Sequence, residues 1–183
     1  VPRGRGLRRA GGGADGGGFG ERNPELLEAV GPLSGVPTAI GGRNRRIRTM
    51  AMDDIRMDPG WKGGEYPSPP AGLRGALQML YIMTSAPLVQ QHDAPTRDSA
   101  DAVIRRFLDA RMRNTDANDF LYAFDASRNY NPEPMLVRIR APLLALTSAD
   151  DPVNPPELGI TARLITRVPT GPFVLIPLGP APP

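Results

Sequence analysis

One short stretch, Ser148-Ala149-Asp150-Asp151-Pro152, gathers most of the chemistry these residues can offer. It follows the continuous apolar run of residues 142–147, which has the composition of a buried parallel strand. Open α/β sheets bind their ligands at the C-terminal ends of such strands. A carboxylate at that place can fix the tautomer of an imidazole and stabilise its charged form, as the acid of a Ser-His-Asp arrangement does. The same Asp-Asp-Pro sequence also makes a turn that merely closes a loop. The residues alone leave both readings open.

Arg43 and Asn44 come next, a few residues beyond a strand end expected at residues 33–35. An arginine there can hold a substrate carboxylate through two parallel hydrogen bonds. With Arg45, Arg46 and Arg48 beside it, the same segment also reads as a solvated basic face. His92 is the one histidine; beside Asp93 it reads as a loop or helix-end residue. Trp61, in Pro-Gly-Trp-Lys-Gly-Gly, reads as a packing anchor for its loop. The glycine run of residues 11–18 lacks the Lys-Ser/Thr and the helix start that a phosphate cradle needs, and reads as low complexity. With no cysteine and a single histidine, the 183 residues hold no disulfide, thiolate zinc site, cysteine nucleophile or poly-histidine metal site.

Hydrophobic residues make up 40% of the chain, enough for a core in one domain of ordinary size, while Gly (21) and Pro (22) together are unusually rich. The formal net charge is +3. That charge sits in residues 1–22, where Arg3, Arg5, Arg8, Arg9 and Arg22 face only Asp15 and Glu21; the remainder is balanced. A neutral body argues against a nucleic-acid partner. No apolar run reaches membrane-spanning length, and the Arg- and Gly-rich start is not a secretory signal.

The elements that must position these residues follow from hydrophobic period. Residues 1–22 read as a flexible Gly/Arg-rich tail, and residues 179–183 as a Pro-rich tail. Leu26, Leu27 and Val30 read as a short helical end. A basic helix from about Asn44 presents Ile47, Met50, Ala51 and Ile55 on one face and stops at Asp58-Pro59-Gly60. A second helix carries Leu73, Ala76, Leu77, Leu80 and Tyr81. A third, capped by Asp93 with Pro95 in its first turn, carries the stripe Ala100, Val103, Ile104, Phe107, Leu108 and Met112, with Asp101–Arg105 and Asp109–Arg113 pairs on its wet side. A fourth starts near Asp116 and buries Phe120, Ala123 and Phe124. Beyond residue 141 the pattern becomes strand, helix, strand. Asn154-Pro155-Pro156-Glu157 reads as a helix start running to about Arg167, and residues 173–176 as a second buried strand. This is a βαβ unit, hence an α/β fold.

Several quoted pieces, in order, resemble one family. They are Gly20-Glu21-Arg22-Asn23-Pro24, Gly42-Arg43-Asn44-Arg45, Asp58-Pro59-Gly60-Trp61-Lys62-Gly63-Gly64, Thr115-Asp116-Ala117-Asn118-Asp119, Ala126-Ser127-Arg128-Asn129-Tyr130, and the stretch from Ala141-Pro142-Leu143 through Asp150-Asp151 to Asn154-Pro155-Pro156-Glu157-Leu158. Over about residues 20–178 the chain resembles the C-terminal half of α/β-hydrolase-fold enzymes of the homoserine O-acetyltransferase-like group. The resemblance implies a partial α/β-hydrolase fold, a short parallel sheet with an inserted helical lid at about residues 41–130, within an expected domain 23–178. It implies Asp151 as the family acid, with Asp150 directed elsewhere, and a cleft-facing, substrate-binding place for Arg43 and Asn44.

The family nucleophile is a serine in Gly-x-Ser-x-Gly, and no such motif occurs in the chain; its place falls near residues 9–13. The family histidine follows the last strand, and His92 precedes Asp151 where the family order is Ser, Asp, His. The expectation is therefore a chain truncated or read out of frame at both ends, whose complete form passes an acyl group through serine to an alcohol or to water. The alternatives are an esterase-like hydrolase of the same fold and a non-catalytic binding remnant. A small-molecule acyl substrate is expected, with no metal and no organic cofactor beyond an acyl donor such as acyl-CoA. No nucleic-acid or membrane partner is expected, and the protein is expected to be cytoplasmic and a homodimer. The strand ending near Ser34 is expected to lack its neighbour, leaving the isolated chain poorly soluble, oligomeric or molten.

Overall fold

Two stretches of different hydrophobic period build two separate cores. The computed structural model describes residues 4–8, 27–32 and 34–178. The chain divides into a sheet unit, Val1–Ile40 with Asn129–Pro183, and a helical unit, Gly41–Arg128.

In the sheet unit β1 (Gly4–Arg8) pairs in parallel with β2 (Leu27–Pro32), Arg5 opposite Ala29 and Arg8 opposite Pro32. Two expectations change here. Residues 27–32, read as a helical end, form a strand. That strand has a partner, supplied by residues 4–8 from within the segment read as a flexible tail. The rest of that tail and residues 179–183 lie outside the described residues. β-Pairing overrides local glycine content because the ladder uses backbone groups, which every residue but proline can donate.

β3 (Ala145–Ser148) pairs in parallel with β4 (Phe173–Ile176), Ala145 opposite Phe173 and Ser148 opposite Ile176. Between them run a 3₁₀ turn, Pro156–Leu158, and helix α6 (Ile160–Ile165), separated by Gly159 at φ 63°. The expected single helix starting at Asn154 is thus shorter and interrupted, because the left-handed Gly159 breaks it. The β–α–β order stands. The N–H of Ser34 donates to Leu146 O (2.8 Å) and joins the end of β2 to β3. Leu136, Ile139, Leu143, Ala145, Leu164 and Ile165 form the core. β4 is not the buried strand that its composition suggests: Val174, Leu175 and Ile176 are each more than two-fifths exposed.

The helical unit holds α1 (Gly42–Arg56), a 3₁₀ turn (Pro59–Gly64), α2 (Ala71–Thr84), α3 (Pro87–Asp93), α4 (Arg97–Asn114) and α5 (Ala117–Asp125). On α1 the buried stripe is Ile47, Ala51, Met52 and Ile55. Met50, expected on that face, is about half exposed (48%), since a stripe continued by i+4 steps rotates away from it. Asp93 ends α3; it does not cap α4. Thr96 caps α4, its Oγ1 accepting from Ser99 N (3.2 Å) while Thr96 N donates back to Ser99 Oγ (3.0 Å). On α4 the expected Asp101–Arg105 pair forms at 3.9 Å. Asp116 caps α5 by accepting from Asn118 N (2.9 Å) and Asp119 N (3.0 Å). α5 buries Ala117, Phe120 and Leu121, and Ala123 is exposed, contrary to the expected face. Among the described residues no helix is long and apolar enough to cross a membrane.

Candidate functional site: the acid turn after β3

β3 delivers the chain to a turn at Ser148, where Asp151 N donates to Ser148 O (3.2 Å). The two carboxylates of this turn diverge. Asp150 accepts from the Ser148 hydroxyl and so folds back on its own strand. Asp151 is turned forward: its Oδ1 accepts from the amides of Val153 (2.8 Å) and Asn154 (3.0 Å). Its Oδ2 is buried with no hydrogen-bond partner among the described residues. Two amides therefore fix the carboxylate plane and leave the second oxygen as a dry acceptor. A buried acceptor left unmade costs about 1–3 kcal/mol, a penalty a donor arriving at Oδ2 would remove.

Asn154 serves this turn twice. Its amide holds Asp151, and its Nδ2 donates to Ser34 O (2.8 Å). Ser34 sits at φ 51°, a left-handed conformation unusual for a residue with a Cβ. It is secured on both sides, its N–H by Leu146 and its carbonyl by Asn154. The sequence signals were present in the Ser34-Gly35 turn and in Asn154 before two prolines. The asparagine suggested a helix cap, but it ties the acid turn to the end of β2. An apolar cavity in the same unit, beside Val36 and Leu143, measures about 30 Å³ and has room for about two waters, not for a substrate.

Arg43 and Asn44 belong to the helical unit, and Asp151 belongs to the sheet unit. Arg43 is exposed on the first turn of α1. Asn44 is buried, and its Oδ1 accepts from Arg48 Nε (2.9 Å). Arg48, expected within a solvated basic face, is instead largely enclosed. It donates to Ser127 Oγ (3.2 Å) and lies 5.2 Å from the Phe124 ring centre. Burial, and after it the charge of Arg45, lowers its pKa from the ordinary arginine value. The i, i+4 step from Asn44 to Arg48 was the available signal. His92 is exposed at the end of α3, its Nδ1 2.9 Å from Asp93 Oδ1. Among the described residues no group of three or more His, Asp or Glu could hold a metal ion.

No protein-family model matches the chain, and no curated protein matches it significantly in sequence. Solved structures do. A homoserine O-acetyltransferase from Bacillus anthracis superposes with a TM-score of 0.81 at 18% identity, over 93% of this chain and 52% of that one. An acetylester hydrolase from Corynebacterium glutamicum gives 0.77 at 18% identity, over 93% and 52%. An α/β hydrolase enzyme from a deep-sea metagenome library gives 0.74 at 12% identity, over 97% and 57%. The chain has a partial α/β-hydrolase fold. It spans about half the length of the solved structures it matches. In an α/β-hydrolase sheet, the turn after β3 lies at the carboxyl end of a parallel strand, the edge at which ligands bind.

Proposed function

We propose that this chain supplies the acid and the helical lid of an acyl-transfer enzyme of α/β-hydrolase type. In that chemistry a serine oxygen attacks an acyl carbonyl, its proton passes to a histidine, and the leaving group departs with that proton. The acyl group then moves to an alcohol or to water. Asp151 is the group that orients the histidine and stabilises its charged form. The observation that carries this reading is the asymmetric carboxylate: Oδ1 is held by two turn amides while Oδ2 is buried and unengaged among the described residues. An oxygen with no other donor is one an imidazole N–H could take as its acceptor, which is what supports the reading. Neighbours named as an acetyltransferase and as an acetylester hydrolase support ester and acyl chemistry in general.

The 183 residues contain no Gly-x-Ser-x-Gly, and their one histidine, His92, is placed at Asp93. On this reading the serine and histidine are supplied by polypeptide other than these 183 residues. Arg43 is proposed as an anchor for a substrate carboxylate, with Asn44 acting through Arg48.

The test joins this chain to the serine- and histidine-bearing half of a homoserine O-acetyltransferase. Asp151→Asn should lower kcat about 10³–10⁴-fold with the fold retained, and Asp150→Asn far less. Equal losses, or a greater loss at Asp150, would make the choice of acid wrong. In the same chimera Arg43→Ala should raise KM and leave kcat nearly unchanged. The 183-residue chain alone should show no turnover of an activated ester. Turnover by the pure chain that Asp151→Asn abolishes would refute the reading.

A further inference from the structure

The helical unit contains a cavity with the dimensions of a ligand site. It measures about 360 Å³ and opens beside the 3₁₀ turn and α5, within the range of small-molecule pockets. We propose that it binds a small organic cation, recognised as an ammonium group against Trp61 and Tyr122 and between the carboxylates of Glu65 and Asp125. The proposal stands apart from the acid turn and does not depend on it.

Three observations carry it. First, one aromatic side chain of the lining, Trp61, is held in place. Trp61 Nε1 donates to Asn118 Oδ1 (2.8 Å), and Asn118 Nδ2 donates to Gly64 O (3.1 Å), so the indole is fixed before any ligand arrives. Gly64 sits at φ 106°, and a Cβ there would meet the Asn118 amide at 3.3 Å, so the glycine keeps that bracket in place. Fixing the indole in advance lowers the ordering cost of binding. Second, Tyr122, one helical turn beyond Asn118, is 76% exposed while lining this cavity. Aromatic faces attract ammonium and guanidinium cations through the ring quadrupole.

Third, the lining charge is unbalanced. Glu65 and Asp125 face a single cation, Arg56. The Arg56 Nη2 to Asp125 Oδ2 distance is 3.9 Å, a loose pair whose side chains are 41% and 35% exposed. An anion would meet two carboxylates, and a neutral apolar molecule would strip them of water without return. A cation answers both the rings and the surplus negative charge.

Trp61 is the only tryptophan of the chain, so its emission reports on this cavity directly. The full chain is titrated with tetramethylammonium chloride, with sodium chloride at equal ionic strength and tert-butanol as the charged and neutral controls, and the binding heat is measured in parallel. The expected result is a saturable change in Trp61 emission with tetramethylammonium alone. Glu65→Gln and Asp125→Asn should each weaken it about three- to tenfold. Glu65 is exposed, so its variant keeps the fold even if Asp125→Asn loses it; circular dichroism checks both. No saturable emission change and no heat, an equal response to tert-butanol, or undiminished binding by folded Glu65→Gln would overturn the proposal.

Discussion

Asn154 shows how one side chain can hold two backbone segments whose sequence separation hides their relation. Its Nδ2 is bonded to Ser34 O and its amide to Asp151 Oδ1. Asn154→Ala keeps the amide and removes the side-chain bond, leaving a left-handed Ser34 with its carbonyl unclaimed by this donor. The expected loss is about 1 kcal/mol, read by denaturant unfolding, with faster amide exchange at Val153 confined to the acid turn. Unchanged exchange there would show that the turn holds itself. A second residue-scale prediction concerns Tyr66 and Asp116. The Tyr66 hydroxyl donates to Asp116, and in turn accepts from Ala117 N (2.9 Å). The Tyr66 bond, then the Asp119 amide, hold the Asp116 carboxyl below the usual range. Desolvation, then the bond to Asp116, push the Tyr66 phenol above its usual value. Asp58 adds to the acid side, its carboxyl lowered first by the Gly72 amide and then by that of Gly60. A depressed carboxyl stabilises above its ordinary pKa of about 4 and loses that contribution as pH falls through the lowered value. A raised phenol stabilises below its ordinary pKa of about 10 and loses that contribution as pH rises through the raised value. The melting temperature should therefore fall on both sides of this window. Tyr66→Phe should flatten the alkaline side and shift the acid limb towards ordinary carboxylate pH. An unaltered alkaline limb would exclude Tyr66 as its source.

At the scale of elements, the crossing of α1 and α2 is set by what glycine lacks. A Cβ on Gly72 would fall 2.0 Å from Asp54 O, and one on Gly75 would fall 2.5 Å from Asp54 Oδ2. The first obstacle is backbone and cannot swing aside. The close approach also lets Asp58 Oδ2 accept from Gly72 N (2.6 Å) while its Oδ1 accepts from Gly60 N (2.7 Å). One carboxylate so caps the start of α2 and of the 3₁₀ turn, where Pro70, the residue at the cap position of α2, has no side chain able to do it. Gly72→Ala should force the helices apart at a cost of about 1–3 kcal/mol or more, measured by denaturant unfolding with the helical signal followed. Gly75→Ala should cost less, because the Asp54 side chain can move. Equal costs would mean that the backbone contact is relieved by other means.

At the scale of the whole chain, each unit has its own core, and the sheet unit leaves apolar surface uncovered. β4 bonds to β3 along one edge, and no strand among the described residues pairs with the other. Val174 (43% exposed), Ile176 (47%) and Leu178 (55%) stand at or beside it. An exposed apolar edge strand is a template for unwanted pairing. The isolated chain should bind a hydrophobic dye and associate as its concentration rises, and Val174→Lys with Ile176→Lys should reduce both. A monodisperse monomer that binds no dye would contradict this. The expected cause has shifted: the strand before Ser34, thought to lack a neighbour, has β1, and the liability lies at the other end, on β4.

Local physics was legible from residue types alone. The apolar period of α1, α2 and α4, the Asp116 cap, and the β–α–β order around Asp151 depend on neighbours within a few positions, where propensity and capping act. The acid turn was legible for the same reason, being five consecutive residues at the end of an apolar run. Pairing and burial were not. β1 is a strand only because β2 offers it a ladder, and β4 is exposed only because nothing among the described residues lies over it. Asn154 and Ser34 meet across 120 positions, Trp61 and Asn118 across 57. No periodicity encodes contacts at that separation. They exist because the chain, once its local elements form, must bury apolar faces and satisfy backbone groups together, and that condition is met only in three dimensions.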